Sequence, residues 1–245
     1  MKQGIYIINE NKQLAEGIYR MRFAGDVSAV TAPGQFINIK LDGHFLRRPI
    51  SVCDVDDECI TIIYKVLGHG TEEMTHFEAG TELDVLTGLG NGYDTEPAGE
   101  RPLLIGGGVG IPPLYMLAKR LIAEGREVTA VLGFNSSADM YYVDEFERLG
   151  CRVVVTTADG SSGIKGFVTD GIGSLTEPYT YFYTCGPEAM LKAVYNATAT
   201  DGQFSFEERM GCGFGACMGC TCRTVTGFKR ICREGPVLGK EEILW

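Results

Sequence analysis

The chain has 245 residues, 44% of them hydrophobic, enough for two compact domains and a small appended module. Its formal charge of −10 at pH 7 repels phosphate backbones and argues against a nucleic-acid partner. The opening residues include Glu10, Asn11, Lys12 and Gln13 with no apolar core of signal-peptide length, and no stretch nears about 18 uninterrupted apolar residues, so a cytoplasmic protein away from membranes is expected.

In chain order, short apolar segments broken by polar turns come first, at residues 4–9, 18–23, 35–41, 50–54, 59–66 and 82–86. None has a convincing helical period, and their even spacing predicts a small antiparallel β-barrel over residues 1–98. After Pro97 apolar strands alternate with amphipathic helices, the pattern of an α/β domain with a parallel sheet, assigned to residues 99–202. There Leu103-Leu104-Ile105 reads as a buried strand, followed by a glycine-rich turn through 106–110. Leu114, Leu117, Ala118, Leu121 and Ile122 then fall at helical spacing. Proline is tolerated in a helix's first turn, so this helix should begin at Pro112 or Pro113. Further strands are expected at 128–132, 152–156 and 179–184, the last leading through Cys185-Gly186-Pro187 into a helix carrying Met190, Leu191, Val194 and Ala197. Residues 203–245 form a third, cysteine-rich segment.

Nine cysteines is an odd count, which disfavours a disulfide framework. Four of them, Cys212, Cys217, Cys220 and Cys232, stand as C-x4-C-x2-C, then eleven residues, then C, the spacing of a plant-type [2Fe-2S] site. The residues between the first three are mostly small, so backbone NH groups can approach a compact inorganic core. A hairpin with its turn at Thr226-Gly227 would bring Cys232 opposite Thr221 and beside Cys220. A structural zinc and unrelated buried thiols are the competing readings. Zinc sites usually use two short C-x2-4-C knuckles, and only Cys217 to Cys220 has that form. Cys222 is a rival ligand that spacing alone leaves open.

Arg48-Pro49-Ile50-Ser51 and Ile63-Tyr64-Lys65, with Gly68-His69-Gly70-Thr71, contain what a flavin dinucleotide needs: an apolar or aromatic wall, a cation for the pyrophosphate, and glycine turns. Taken singly, Arg47-Arg48 is also what a solvated basic pair looks like, and 68–71 a plain strand connection; their joint occurrence favours the flavin. The 106–110 glycine run lies between a strand and a helix, where a pyrophosphate can approach the helix's positive end, although it is not a strict G-x-G-x-x-G. Cys185-Gly186-Pro187 adds a second strand-to-helix corner of the kind where such sheets bind ligands. No lysine or arginine occurs from residue 127 to 147. Asn135, Ser136 and Ser137 suit a ribose hydroxyl, whereas Asp139, Asp144 and Glu145 would repel a 2′-phosphate, so NAD is expected over NADP. His44, His69 and His76 show no ligand spacing and read as structural or surface residues. Leu244 and Trp245 end the chain with apolar surface, read first as packing and second as a partner interface.

Together Arg48 to Ser51, Gly70-Thr71, the 106–113 turn and Cys185-Gly186-Pro187 resemble the ferredoxin-NADP reductase family. The run Cys-Gly-Phe-Gly-Ala-Cys-Met-Gly-Cys and the later Ile231-Cys232-Arg233-Glu234-Gly235-Pro236-Val237 are similar to the electron-transfer subunits of class 1B dihydroorotate dehydrogenases. This resemblance spans nearly the whole chain. It implies FAD contacts from Arg48, Pro49, Ile50, Ser51, Ile63, Tyr64, Lys65, Gly70 and Thr71. It also implies a pyridine nucleotide near Gly107, Gly108 and Gly110, Cys185 near the nicotinamide, and iron on Cys212, Cys217, Cys220 and Cys232, with no ligand role for Cys222. The implied partner is an FMN-containing catalytic subunit that oxidises dihydroorotate, in a heterotetramer of two copies of each chain, with electrons crossing the cluster to FAD and on to NAD. A reductase subunit working with ferredoxin or sulfide, and a zinc-bearing binding module without flavin, are the alternatives.

Overall fold

Alternation along the first strands, clearest at Tyr6 and Ile8 and at Met21 and Phe23, turns side chains inward, and in the computed structural model, which describes residues 1–245, the strands close a barrel. Its strands are β1 (Lys2–Ala15), β2 (Ile18–Ala24), β3 (Phe36–Ile39), β4 (Arg48–Val55), β5 (Cys59–Lys65) and β6 (Glu82–Leu89), in the order β1-β2-β5-β4-β3-β6 and antiparallel throughout. Tyr6, Ile8, Met21, Phe23, Ile37 and Ile62 fill the interior, each contributing about 1.5–3 kcal/mol by leaving water. One short helix, α1 (His69–Met74), interrupts the barrel between β5 and β6. Six residues are too few to show a period, so it was not anticipated.

The second domain contains β7 (Pro102–Gly107), α2 (Pro112–Ala123), β8 (Thr129–Phe134), α3 (Val143–Leu149), β9 (Arg152–Thr157), β10 (Ile164–Lys165), α4 (Val168–Gly173), β11 (Tyr181–Cys185), α5 (Glu188–Ala197) and β12 (Gly202–Ser205). The final segment adds a hairpin, β13 (Thr221–Thr224) with β14 (Gly227–Arg230), and then β15 (Val237–Gly239). A seven-stranded sheet runs β10-β9-β8-β7-β11-β12-β15, parallel except that β15 pairs antiparallel to β12. As expected, α2 starts at Pro112. The chain leaves β7 towards β8 on one side and returns to β11 on the other, so the strand order reverses between β7 and β11. The sheet also runs past residue 202, through β12 and β15.

Domain packing follows from shared side chains. Ile18, Cys53 and Ile63 of the barrel belong to the same buried cluster as Leu104, Leu114, Leu117 and Tyr142 of the second domain. Lys119 on α2 donates to both carboxylate oxygens of Asp54 on β4, at 2.6 and 2.9 Å. The cysteine segment is seated on the barrel's end, where Phe36, Leu86 and Leu89 pack with Cys220, Ile231, Cys232 and Leu238.

The hairpin corrects one expectation. Its loop is Val225-Thr226, not Thr226-Gly227, and Arg230 rather than Cys232 lies opposite Thr221. Gly227, at φ +121°, opens the return strand, and the Thr224 hydroxyl donates to the Gly227 carbonyl at 2.9 Å, which closes the turn one residue early. Cys232 therefore lies beyond the ladder, yet still beside Cys220. At the chain end Trp245 packs against Phe206 and Tyr195, with ring centroids 5.7 and 6.3 Å away, while Leu244 and Trp245 both stay partly exposed. No helix is long and apolar enough to cross a membrane.

Candidate functional site

One cleft between the barrel and the parallel sheet gathers most of the residues singled out for the two nucleotides. Pro49, Ile50 and Ser51 of β4, Ile63, Tyr64 and Lys65 of β5, and Thr71 of α1 line it from the barrel side. Gly110 and Cys185 line it from the sheet side, at the β7 and β11 corners. Tyr64 is held by its hydroxyl, which donates to Asn11 Oδ1 at 3.1 Å, and by its ring, stacked at 22° on Tyr19. Thr71 closes the preceding turn, its hydroxyl oxygen accepting from the Leu67 and Gly68 amides at 2.9 and 3.2 Å.

Arg48 and Gly70 lie outside the lining but touch one another. A Cβ on Gly70 would fall 2.2 Å from Arg48 Nε, so the absence of a side chain lets the guanidinium lie across the start of α1. Arg48 Nη2 donates to His44 Nδ1 at 2.7 Å, and His44 Nε2 faces the Glu73 carboxylate at 2.7 Å. His44 thus orients the cation, whereas His69 and His76 are exposed, in keeping with the surface reading. On the sheet side, a Cβ at Gly110 would sit 2.2 Å from the Cys185 carbonyl oxygen. The two corners therefore meet backbone to backbone. Gly107 packs under Met190, and Gly108, at φ +52°, has its carbonyl bound by the Tyr141 hydroxyl at 2.7 Å. Burial pushes the Cys185 thiol up to about 12, partly offset by a hydrogen bond with Ser205, so Cys185 is a neutral thiol at physiological pH.

Further lining comes from Ser205, Phe206, Glu207, Glu208 and Met210, which sequence reasoning missed. Ser205 ends β12 and the others follow it, at the carboxyl edge of the sheet, where ligands bind in such folds. A four-residue strand gave too little pattern to reveal that position. The signal that could have found them was the apolar-polar alternation through Phe204 and Phe206.

The four cysteines associate in two pairs. Cys212 Sγ accepts from the Ala216 and Cys217 amides at 3.2 and 3.5 Å, and Cys217 Sγ accepts from Cys212 and Gly219 at 3.4 and 3.5 Å. Cys220 Sγ accepts from the Cys232 amide at 3.4 Å. The loop curls through positive φ at Gly213, Gly215 and Met218, and Asn38 Nδ2 on β3 fastens it by donating to the Cys212 carbonyl at 3.2 Å. Two pairs of sulfurs, each drawn to backbone amides, suit the two irons of a [2Fe-2S] core.

Electrostatics agree with that fit. Desolvation raises the Cys212 thiol, but backbone amides from Cys217, Phe214 and Ala216 outweigh it and bring it down to about 6. Cys232 goes the other way, to about 12, through burial and the neighbouring Cys220. A raised thiol such as Cys232 gains its thiolate form more readily beside a cationic centre. Cys222 stands apart: it lines a different groove with Leu244 and Trp245.

Comparison with known proteins places the whole chain in one family. Residues 207–244 match the family model for the iron-sulfur cluster binding domain of dihydroorotate dehydrogenase B, and residues 104–196 that of the oxidoreductase NAD-binding domain. Over 244 residues the chain is 44% identical to the dihydroorotate dehydrogenase B (NAD(+)) electron transfer subunit of Fusobacterium nucleatum subsp. nucleatum, with 94% of each chain covered. The chain belongs to that electron transfer subunit family. Its counterpart in Shouchella clausii is 43% identical, covering 99% of this chain and 98% of the other. Among solved structures, one described as an NADH-dependent reduced ferredoxin-NADP oxidoreductase superposes with a TM-score of 0.91 at 32% identity, covering 99% of this chain and 90% of that one. A ferredoxin NADP+ reductase from Neisseria gonorrhoeae, at 17% identity and a TM-score of 0.70 over 80% of this chain and 90% of the other, shares the fold of the barrel and sheet.

Proposed function

We propose that this chain is the electron transfer subunit of a dihydroorotate dehydrogenase B, an NAD-dependent oxidoreductase of pyrimidine biosynthesis that carries FAD, a [2Fe-2S] cluster and NAD. The observation that carries the reading is a shared wall. Phe36 lines the cleft and packs in the same buried cluster as Cys220 and Cys232, and Met210 lines the cleft two residues before Cys212. A cleft for nucleotides and a cysteine cage thus stand one side chain apart.

When bound, nicotinamide exchanges two electrons as hydride, a [2Fe-2S] centre exchanges one and a flavin either, which makes the flavin the step-down point. The protein's own part is positioning. Arg48, oriented by His44, supplies positive charge for the FAD pyrophosphate, while Pro49, Ile50, Ile63 and Tyr64 wall the ring, with Ser51, Lys65, Gly70 and Thr71 completing the contacts. Gly107, Gly108 and Gly110 offer a pyridine nucleotide close approach to the start of α2, and neutral Cys185 stands at the nicotinamide end. Cys212, Cys217, Cys220 and Cys232 hold the cluster. Asp139 caps the turn after β8, its carboxylate accepting from the Ser136 amide and hydroxyl at 3.0 and 2.8 Å, which fixes a negative charge against a 2′-phosphate and supports NAD over NADP.

The partner is an FMN-containing catalytic chain that oxidises dihydroorotate, joined in a cytoplasmic heterotetramer of two copies of each. Phe214 and Met218 on the cysteine loop, and Val225 and Phe228 on the hairpin that follows it, are exposed apolar side chains, which suit that partner. Co-expression with a candidate dihydroorotate dehydrogenase chain tests the reading: NAD reduction by dihydroorotate should require both chains. The similarity to the NADH-dependent oxidoreductase at TM-score 0.91 supports a second reading, a ferredoxin-linked reductase subunit. Co-purification with a large iron-sulfur flavoprotein instead of the dihydroorotate-oxidising chain would favour it.

A further inference from the structure

Arg230 ends β14 two residues before Cys232, and its side chain reaches back across the cysteine loop. Nη1 donates to the Gly215 carbonyl at 2.7 Å, between Cys212 and Cys217 in the chain. On its other side Nε and the Arg230 amide both donate to Glu234 Oε2, at 2.9 and 2.8 Å, and Nη2 donates to Oε1. The amides of Arg233 and Glu234 both donate to the Arg230 carbonyl at 2.9 Å, so the turn is already closed by backbone. Turn closure therefore does not need the guanidinium. It bridges a carboxylate to the loop holding one sulfur pair, on the turn that carries a sulfur of the other pair. Both side chains are partly shielded, 24% and 34% exposed, so their charges are screened less than on open surface.

We propose that the Arg230–Glu234 pair sets the reduction potential of the four-cysteine site, an inference that rests on the cluster reading above. One-electron reduction adds a unit of negative charge to the site. Arg230 stabilises the reduced form and Glu234 opposes it, so removing either alone unbalances the pair in opposite directions.

The test is a potentiometric titration of the whole iron-loaded chain with dithionite, followed by the paramagnetic signal of the reduced site, with iron content measured alongside. R230Q should lower the reduced-to-oxidised ratio at the wild-type midpoint by about fivefold, the order a unit charge exerts at several ångströms in a partly solvated setting. E234Q should raise it by a similar factor, R230K should change it little, and R230Q/E234Q together should return near wild type. A purely structural latch would not give shifts of opposite sign. Shifts of the same sign, or none beyond that of R230K, would overturn the proposal. If R230Q fails to hold iron, E234Q decides, since its guanidinium stays on Gly215: an unchanged or lowered ratio refutes the proposal. A wild-type chain that takes up no iron would refute the cluster reading instead.

Discussion

Gly70 carries more of the flavin argument than its size suggests. Any side chain there meets the Arg48 guanidinium, the far end of a flexible group that can swing away, so G70A should fold normally while misplacing the cation. We expect about tenfold weaker FAD binding, roughly the loss of one charge-assisted contact, in fluorescence titration of the flavin-free chain, with an unchanged melting temperature. Cys212 offers a pH test. Its folded value, about 6, lies below its ordinary 9, so in the iron-free chain its thiolate favours the folded state fully above pH 9, and that contribution fades as the pH falls through 6. Alkylation mapped by mass spectrometry should accordingly modify Cys212 with a midpoint near pH 6, while buried Cys232 stays unreactive at neutral pH. At this scale the sequence was most legible where chemistry demands spacing, as in the cysteine run and Arg48 to Ser51. It read His44 only as a structural or surface residue, because a contact with Arg48 and Glu73 depends on how the loop after β3 folds back over α1.

Among elements, α2 ties the molecule together in two unequal ways. Leu117 is wholly buried in the core shared with the barrel, so L117A should cost about 2–5 kcal/mol in urea unfolding. Lys119 and Asp54 are each partly exposed, so K119A should cost about 1 kcal/mol or less despite the close ion pair. The reverse ranking would show that the domains are joined by charge rather than by apolar contact. All six barrel strands and the four longer strands of the sheet were legible, since alternation and apolar runs extend over five residues or more in most of them. The elements β10, β12 and β15 were not, having two to four residues each. The hairpin register slipped for a related reason: the glycine was read as a loop residue, whereas it opens β14.

For the molecule as a whole, the exposed apolar side chains of the cysteine segment are the feature that a lone chain does not need. Phe228 is 75% exposed on β14, so F228D should leave the fold and iron content of the isolated chain intact. Dihydroorotate-dependent NAD reduction by the assembled pair should fall at least about tenfold, as a charge is forced into an apolar contact. The order of barrel, sheet and cysteine segment was readable because texture changes sharply at each junction. Their mutual packing was not, since it rests on contacts such as Phe36 against Cys220 that link distant parts of the chain.

The pairing of β12 with β15 bears on how such a chain can be built. Ser205 lies opposite Val237, so residues 206–236, with all four cysteines of the proposed cluster site among them, depart from and rejoin the scaffold at a single doorway. An excursion tethered at both feet can be lengthened, shortened or exchanged without re-threading the sheet, because the distance it must span stays constant. The cysteine-bearing excursion and the sheet can thus vary separately in length.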